Sequence, residues 1–220
     1  MIVLGIDSAL DACSAALWQD GRTLARTVIP GARDQAERLV PIVLETMQNA
    51  RLAWSDLDRI AVTVGPGSFT GLRVGLAAAR GFALAAKRPA VGITTLAALA
   101  HSVDELGALG VAIEAGRGEV YFQVFERRRP IGEPVSVALA DAVAGLPRGA
   151  AVIGSGADAL KALSANRPDL RYPANALHPD PVALAALGAS AALPEDGRPP
   201  TPLYIHPPRI KLPGGASIAT

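Results

Sequence analysis

Apolar residues recur along this chain at two spacings, and the switches between them mark out strands and helices. Ile2-Val3-Leu4-Gly5-Ile6-Asp7 is a short apolar run with β-branched residues, which predicts a core strand. Cys13 to Trp18 predicts a second strand, Gln19-Asp20-Gly21-Arg22 a turn with Asp-Gly at the bend, and Thr23 to Ile29 a third strand. The period then changes. Ala36, Leu39, Val40, Val43, Met47 and Ala50 fall three or four apart, the stripe of an amphipathic helix over Arg33 to Ala50. Pro41 lies inside that stripe and is expected to kink the helix or mark its start. Arg59 to Val64 reads as a strand, Thr70 to Ala86 as a helix, and Ala90 to Ile93 as a short strand. Thr94 or Thr95 then caps a helix with Leu96, Leu99, Val103 and Leu106 on one face.

The order begins again near residue 108. Gly110 to Glu114 predicts a strand, and Glu119 to Glu126 alternates Val120, Phe122 and Val124 against Tyr121, Gln123 and Phe125. Arg127 to Gly132 is expected to turn and Glu133 to Val137 to return. Ala140 to Ala144 reads as a brief helix, Ala151 to Ile153 as a strand ending in Gly154-Ser155-Gly156, and Ala157 to Ser164 as a helix. Three strands, helix, strand, helix thus occurs twice, the pattern of a duplicated α/β protein with helix-covered mixed sheets. Asp180-Pro181 opens a last helix through Leu193, with Asp as cap and Pro at the first helical position. The expected domains are 1–107, 108–198 and a proline-rich tail over 199–220, in which Leu203-Tyr204-Ile205 can add an edge strand.

Composition narrows the function classes. The chain has 220 residues, half of them hydrophobic, enough for one sizeable core or two small ones. A net charge of +1 gives no strong field for nucleic acid. The basic run Arg127-Arg128-Arg129 reads first as a solvated hairpin tip. The single cysteine, Cys13, rules out an internal disulfide and sits where a buried, inert thiol is expected. The first residues lack the basic flank and long apolar core of a signal peptide, and no apolar run reaches the roughly 18 residues of a membrane span. A cytoplasmic protein without membrane contact is expected. His101, His178 and His206 are isolated, with no metal-ligand spacing, so no metal site is expected. No histidine stands in a suggestive sequence relation to Ser68 or Ser155.

The block Gly65-Pro66-Gly67-Ser68-Phe69-Thr70-Gly71-Leu72-Arg73-Val74-Gly75 is the richest in chemistry. A glycine-rich turn between strand and helix can hold an anion on backbone N–H groups. It lacks the Lys-Ser or Lys-Thr of a Walker loop and the acidic residue that follows a dinucleotide fingerprint. Asp7 and Ser8 close the first strand and, with Gly67 and Ser68, form the candidate anion- or nucleotide-proximal set. The matching turn of the second half offers Glu114 rather than Asp. Gly71, Gly75, Ala78, Ala79 and Phe82 share a helix face so thin that it suits close packing, either within the chain or against another chain, with Arg73 at its rim.

Ile6-Asp7-Ser8, Cys13-Ser14-Ala15-Ala16-Leu17, the Gly65 to Gly75 block, Gly118-Glu119-Val120-Tyr121 and Pro202-Leu203-Tyr204-Ile205 together resemble the bacterial TsaB (YeaZ) family over nearly the whole chain. The resemblance implies the duplicated actin/Hsp70/sugar-kinase-like (ribonuclease H-like) fold, two lobes each with a mixed sheet flanked by helices. It implies a non-catalytic subunit that binds and activates a TsaD-type transferase. With a TsaE-type ATPase, that complex places N6-threonylcarbamoyl on the adenosine beside the anticodon of tRNAs reading codons that begin with A. It further implies a homodimer when alone, a heterodimer with TsaD through helices of the first lobe, and tRNA met only indirectly through the complex. No metal or cofactor of its own is implied, with ATP or ADP bound at the joint with TsaD and TsaE. The partner face would then be Gly71, Arg73, Gly75, Ala78, Ala79 and Phe82. Two positions depart from the family pattern: Gln35 stands where a His is common, and Glu114-Ala115-Gly116-Arg117 where Asp-Ala-Arg is usual. The alternative is a stand-alone ATPase or phosphotransferase using Asp7 and the glycine loop.

Overall fold

Strand β1 (Ile2–Asp7) is buried on both faces from Val3 onward, which is why its residues are apolar without alternation. It is the central strand of a five-stranded sheet with β2 (Ala12–Gln19), β3 (Arg22–Pro30), β4 (Arg59–Gly65) and β5 (Ala90–Thr94), in the order β3-β2-β1-β4-β5. The pairs β1–β2 and β2–β3 are antiparallel, and β1–β4 and β4–β5 are parallel. The computed structural model describes residues 1–31, 34–173, 176–194, 197–205, 210–211 and 217–218. The expectations on His206 and on Pro207, Pro208 and Pro213 lie outside these residues.

Helices α1 (Gln35–Ala50) and α2 (Phe69–Ala86) cover one face of this sheet, where Leu39, Val43, Met47 and Leu76 join Leu4, Ile6, Leu17 and Val62 in one cluster. Helix α1 begins six residues before Pro41, so the proline does not mark its start. Its buried stripe is Gln35, Leu39, Ile42, Val43, Thr46 and Met47; Ala36 and Val40, expected inside, are exposed. The helix is turned so that Ile42 and Thr46 take their place. Helix α3 (Thr95–His101) is capped by Thr94, whose hydroxyl accepts from Ala97 N at 3.1 Å. It stops at His101, and Leu106, expected on its face, is left 61% exposed.

The second sheet repeats the order with β6 (Ala108–Gly116), β7 (Glu119–Glu126), β8 (Arg129–Ala138) and β9 (Ala151–Ile153) as β8-β7-β6-β9. The β7–β8 connection is tighter than the sequence suggested. Only Arg127 and Arg128 turn, both at positive φ (49° and 62°), and Arg129 already pairs with Glu126. Helices α4 (Leu139–Gly145) and α5 (Ala157–Leu163) pack on Phe122, Val120 and Val152. Helix α3 joins the two halves: Ala98 belongs to the first sheet's cluster, and Leu96 and Leu99 pack with Val111, Ile113 and Phe125 of the second.

Helix α6 (Pro181–Ser190) is capped by Asp180, which accepts from Val182 N at 3.0 Å. It ends before Leu193 and returns to the first sheet, where Leu184 and Ala185 pack on Val3, Ala61 and Val91. Arg59 holds its end by donating to the carbonyls of Gly188 and Ala191. Leu203-Tyr204-Ile205 does not form the edge strand; Leu203 N donates to Val64 O at 2.8 Å, and no ladder follows because Ile205 already bends away.

Candidate functional site between the two halves

The ends of β1 and β6, the start of α2 and the segment before α6 enclose a cleft of about 870 Å³. Ala9, Leu10 and Asp11 line it from the first half, Gly67, Ser68 and Thr70 from the glycine block, and Ile113, Glu114, Ala115, Tyr121 and Ser155 from the second half. Gln35, Leu177 and His178 complete the wall. The fold therefore brings Ser68, Ser155 and His178 to one cavity although no spacing along the chain related them.

Ser68 caps α2: its hydroxyl accepts from Gly71 N at 3.0 Å. The Ser68 N–H is itself spent on Ala9 O at 2.7 Å, and a Cβ on Gly67 would strike that same carbonyl. The glycine turn is thus wrapped around the β1–β2 connection, and two of the N–H groups that would cradle an anion are already paired. Asp7 and Ser8 lie beneath the cleft rather than on its wall. Asp7 is fully buried, and its Oδ1 accepts from Thr63 Oγ1 (2.7 Å) and Ala9 N (3.1 Å). Burial pushes its carboxyl up to about 6, partly offset by those hydrogen bonds and by His178. Asp7 Oδ2 and His178 Nδ1 are buried without a hydrogen-bond partner among the described residues. Ser8 donates to Gly71 O at 2.8 Å.

The thin face of α2 points inward. Gly71, Gly75 and Ala79 are buried, and a Cβ on Gly71 would collide with Ser8 O, while one on Gly75 would lie 2.7 Å from Ser8 Oγ. These residues fit the helix against its own sheet and are not open to another chain, a correction to their placement on a partner face. Phe82 stacks on Trp54 with ring centroids 4.7 Å apart, and Ala78 packs at the edge of the same core. Arg73 alone of that set is exposed, with its guanidinium 3.7 Å from the Phe69 ring centroid. The outward sides of α1 and α2 instead carry Val40 (41% exposed), Leu44 (42%), Phe69 (49%) and Leu84 (82%). Sequence reasoning missed them, although Ala36, Val40 and Leu44 form a second apolar row spaced by four.

Gln35, at the position where the family often has His, donates from Nε2 to Leu10 O at 2.6 Å and so ties α1 to the β1–β2 turn. Glu114 N donates to Ser155 Oγ at 3.0 Å, which ties β6 to the β9–α5 turn. Cys13 is buried as expected, and burial pushes its thiol up to about 11, so it stays protonated at neutral pH. Among the described residues no three His, Cys, Asp or Glu side chains gather as a metal site would require. No described helix is long and apolar enough to cross a membrane.

Two repeated mixed sheets joined across a cleft define a two-lobed, duplicated α/β protein. The family whose model matches, over residues 27–191, is TsaD: tRNA N6-adenosine threonylcarbamoyltransferase. The chain belongs to that family, and it is similar to proteins named TsaB and YeaZ. It is 38% identical over 130 residues to the Escherichia coli tRNA threonylcarbamoyladenosine biosynthesis protein TsaB, a match covering 58% of this chain and 56% of that one. It is 34% identical over 218 residues to a Mycobacterium tuberculosis protein, covering 95% of this chain and 93% of that one. The structure of YeaZ from Pseudomonas aeruginosa superposes with a TM-score of 0.74 at 27% identity, covering 86% of this chain and 92% of that chain.

Proposed function

We propose that this chain is a non-catalytic subunit in N6-threonylcarbamoyladenosine formation on tRNA, binding and activating a TsaD-type transferase with a TsaE-type ATPase as the third protein. The similarity to E. coli TsaB carries the pathway. The exposed apolar side chains support the role, since Val40 and Leu44 on α1 and Phe69 and Leu84 near the two ends of α2 leave large side chains in water on two helices of one lobe. The partner docks on the outer sides of these helices. Any ATP or ADP sits at the joint with the partner proteins. The geometry weighs against a stand-alone phosphotransferase, because Asp7 lies under the cleft wall and Ala9 O occupies the Ser68 N–H.

Reconstitution tests the reading. TsaD-type and TsaE-type proteins, threonylcarbamoyl-adenylate and unmodified tRNA should give modified nucleoside only when this chain is added. The chain alone, with ATP and magnesium, should show no turnover. Modification that proceeds at the same rate without the chain would refute the proposal.

A further inference from the structure

The open end of the second sheet gathers arginines that the cleft and the helix rows leave unused. The register puts the start of β6, the end of β7, the start of β8 and the start of β9 on one edge: Ala108 pairs with Glu126, Glu126 with Arg129, and Leu109 with Ala151. Arg127, Arg129 and Arg148, the last in the turn before β9, are therefore carried on one edge of four strands spaced by about 4.8 Å. All three are exposed and make no ion pair or hydrogen bond with another described residue through their side chains. The acids around them are committed elsewhere, Asp104 to Arg128, Glu105 to Arg171 and Asp169 to Arg167. Glu126 is the one nearby acid left without such a pair, so the edge keeps a surplus of positive charge.

The hairpin tip is also built at a cost. Arg127 and Arg128 both adopt the left-handed conformation, where a two-residue hairpin normally uses Asn-Gly or Gly-Gly. Arg128 is pinned by Asp104 (2.9 Å) and Val103 O (3.2 Å), and Arg127 N donates to Leu106 O. Retained strain at a pinned turn points to a use for the side chains it displays. A concavity of about 570 Å³ is lined by Arg127 and Arg129, by Pro130 and Ile131, and by the one carboxylate Glu126, and Ile131 is 53% exposed.

We infer that this edge is a contact surface for the sugar–phosphate backbone of RNA, with Arg127, Arg129 and Arg148 each taking a phosphate and the Pro130–Ile131 surface meeting a ribose or base. Exposed guanidinium groups along one sheet edge, with an apolar seat beside two of them, suit a chain of phosphates that carries bases. An acidic protein segment would need carboxylates held at the same spacing. The inference rests on the tRNA-modification reading for the identity of the RNA, and it departs from the expectation that tRNA is met only indirectly.

The test uses the full chain, a fluorescent unmodified anticodon stem-loop and an equally charged poly-glutamate peptide. The wild-type chain should bind the stem-loop, with the binding constant falling as salt rises and a log–log slope of about −2 to −3 for three phosphates. Arg127→Gln, Arg129→Gln and Arg148→Gln together should weaken binding at least tenfold and flatten that slope. Arg127→Asn alone keeps the Arg128 contacts with Asp104 and Val103 O and suits the left-handed position better, so it should hold or raise the melting temperature while still weakening RNA binding, a split that a merely structural role would not produce. Retained affinity in the triple variant, no binding by wild type, or arginine-dependent binding of poly-glutamate but not RNA would each overturn the inference. Co-purification with the TsaD-type partner should be unchanged in the triple variant, so loss of the RNA contact is distinguishable from failure of the subunit assignment.

Discussion

Asp7 disfavours folding wherever its carboxyl is ionised. Its ordinary value of 3.8 rises to about 6 on burial, so the folded state holds the proton more tightly than the unfolded chain does. The contribution is fully present below about pH 4 and is lost as pH climbs through about 6, a change of about 3 kcal/mol by linkage. Asp7→Asn keeps the oxygen that accepts from Thr63 and Ala9 and carries no charge. Melting temperatures followed from pH 4 to pH 8 should show the variant gaining on wild type as pH rises. A difference that does not vary with pH would show that Asp7 is not titrating in this range. None of this was legible in the chain, because an Asp at a strand end reads equally as a turn residue; only Thr63 and Ala9 closing over it, with His178 arriving from a distant segment, reveal it.

At the scale of the element, helix α2 shows both what a sequence discloses and what it withholds. Its start, its Ser68 cap and its small-residue face follow from local chemistry and were readable. Which neighbour that face meets was not, because glycine and alanine fit a sheet of the same chain as well as a second chain. The structure sets Gly71 against Ser8 O and Gln35. Gly71→Ala should therefore destabilise the folded chain by about 1–3 kcal/mol in denaturant unfolding, the usual cost of overpacking. Unchanged stability would mean that the helix can lift away from the β1–β2 turn. A bulky residue at Gly75 should likewise damage the fold itself and so reports nothing about a partner. Helix α6 withheld its place for a related reason: Pro181–Ser190 has no charged residue to mark a solvent side, so its return to the first sheet left no periodic signal.

The whole molecule is a repeat whose halves have been put to different uses. The duplication was legible, since three strands, helix, strand, helix recurs in order and both sheets share one topology apart from the added β5. The cleft between the halves persists, while its glycine turn has been filled by the β1–β2 connection and its strand-end acid sealed below the wall. The side proposed for a large partner is the outer side of α1 and α2, where Val40, Leu44, Phe69 and Leu84 are exposed. Sedimentation of this chain with a TsaD-type protein tests that claim most directly. Wild type should form a stable complex, and Val40→Glu with Leu84→Glu should abolish it while the melting temperature stays within a few degrees of wild type, since both side chains already face water. A double variant that still sediments with the partner at wild-type affinity would contradict the account.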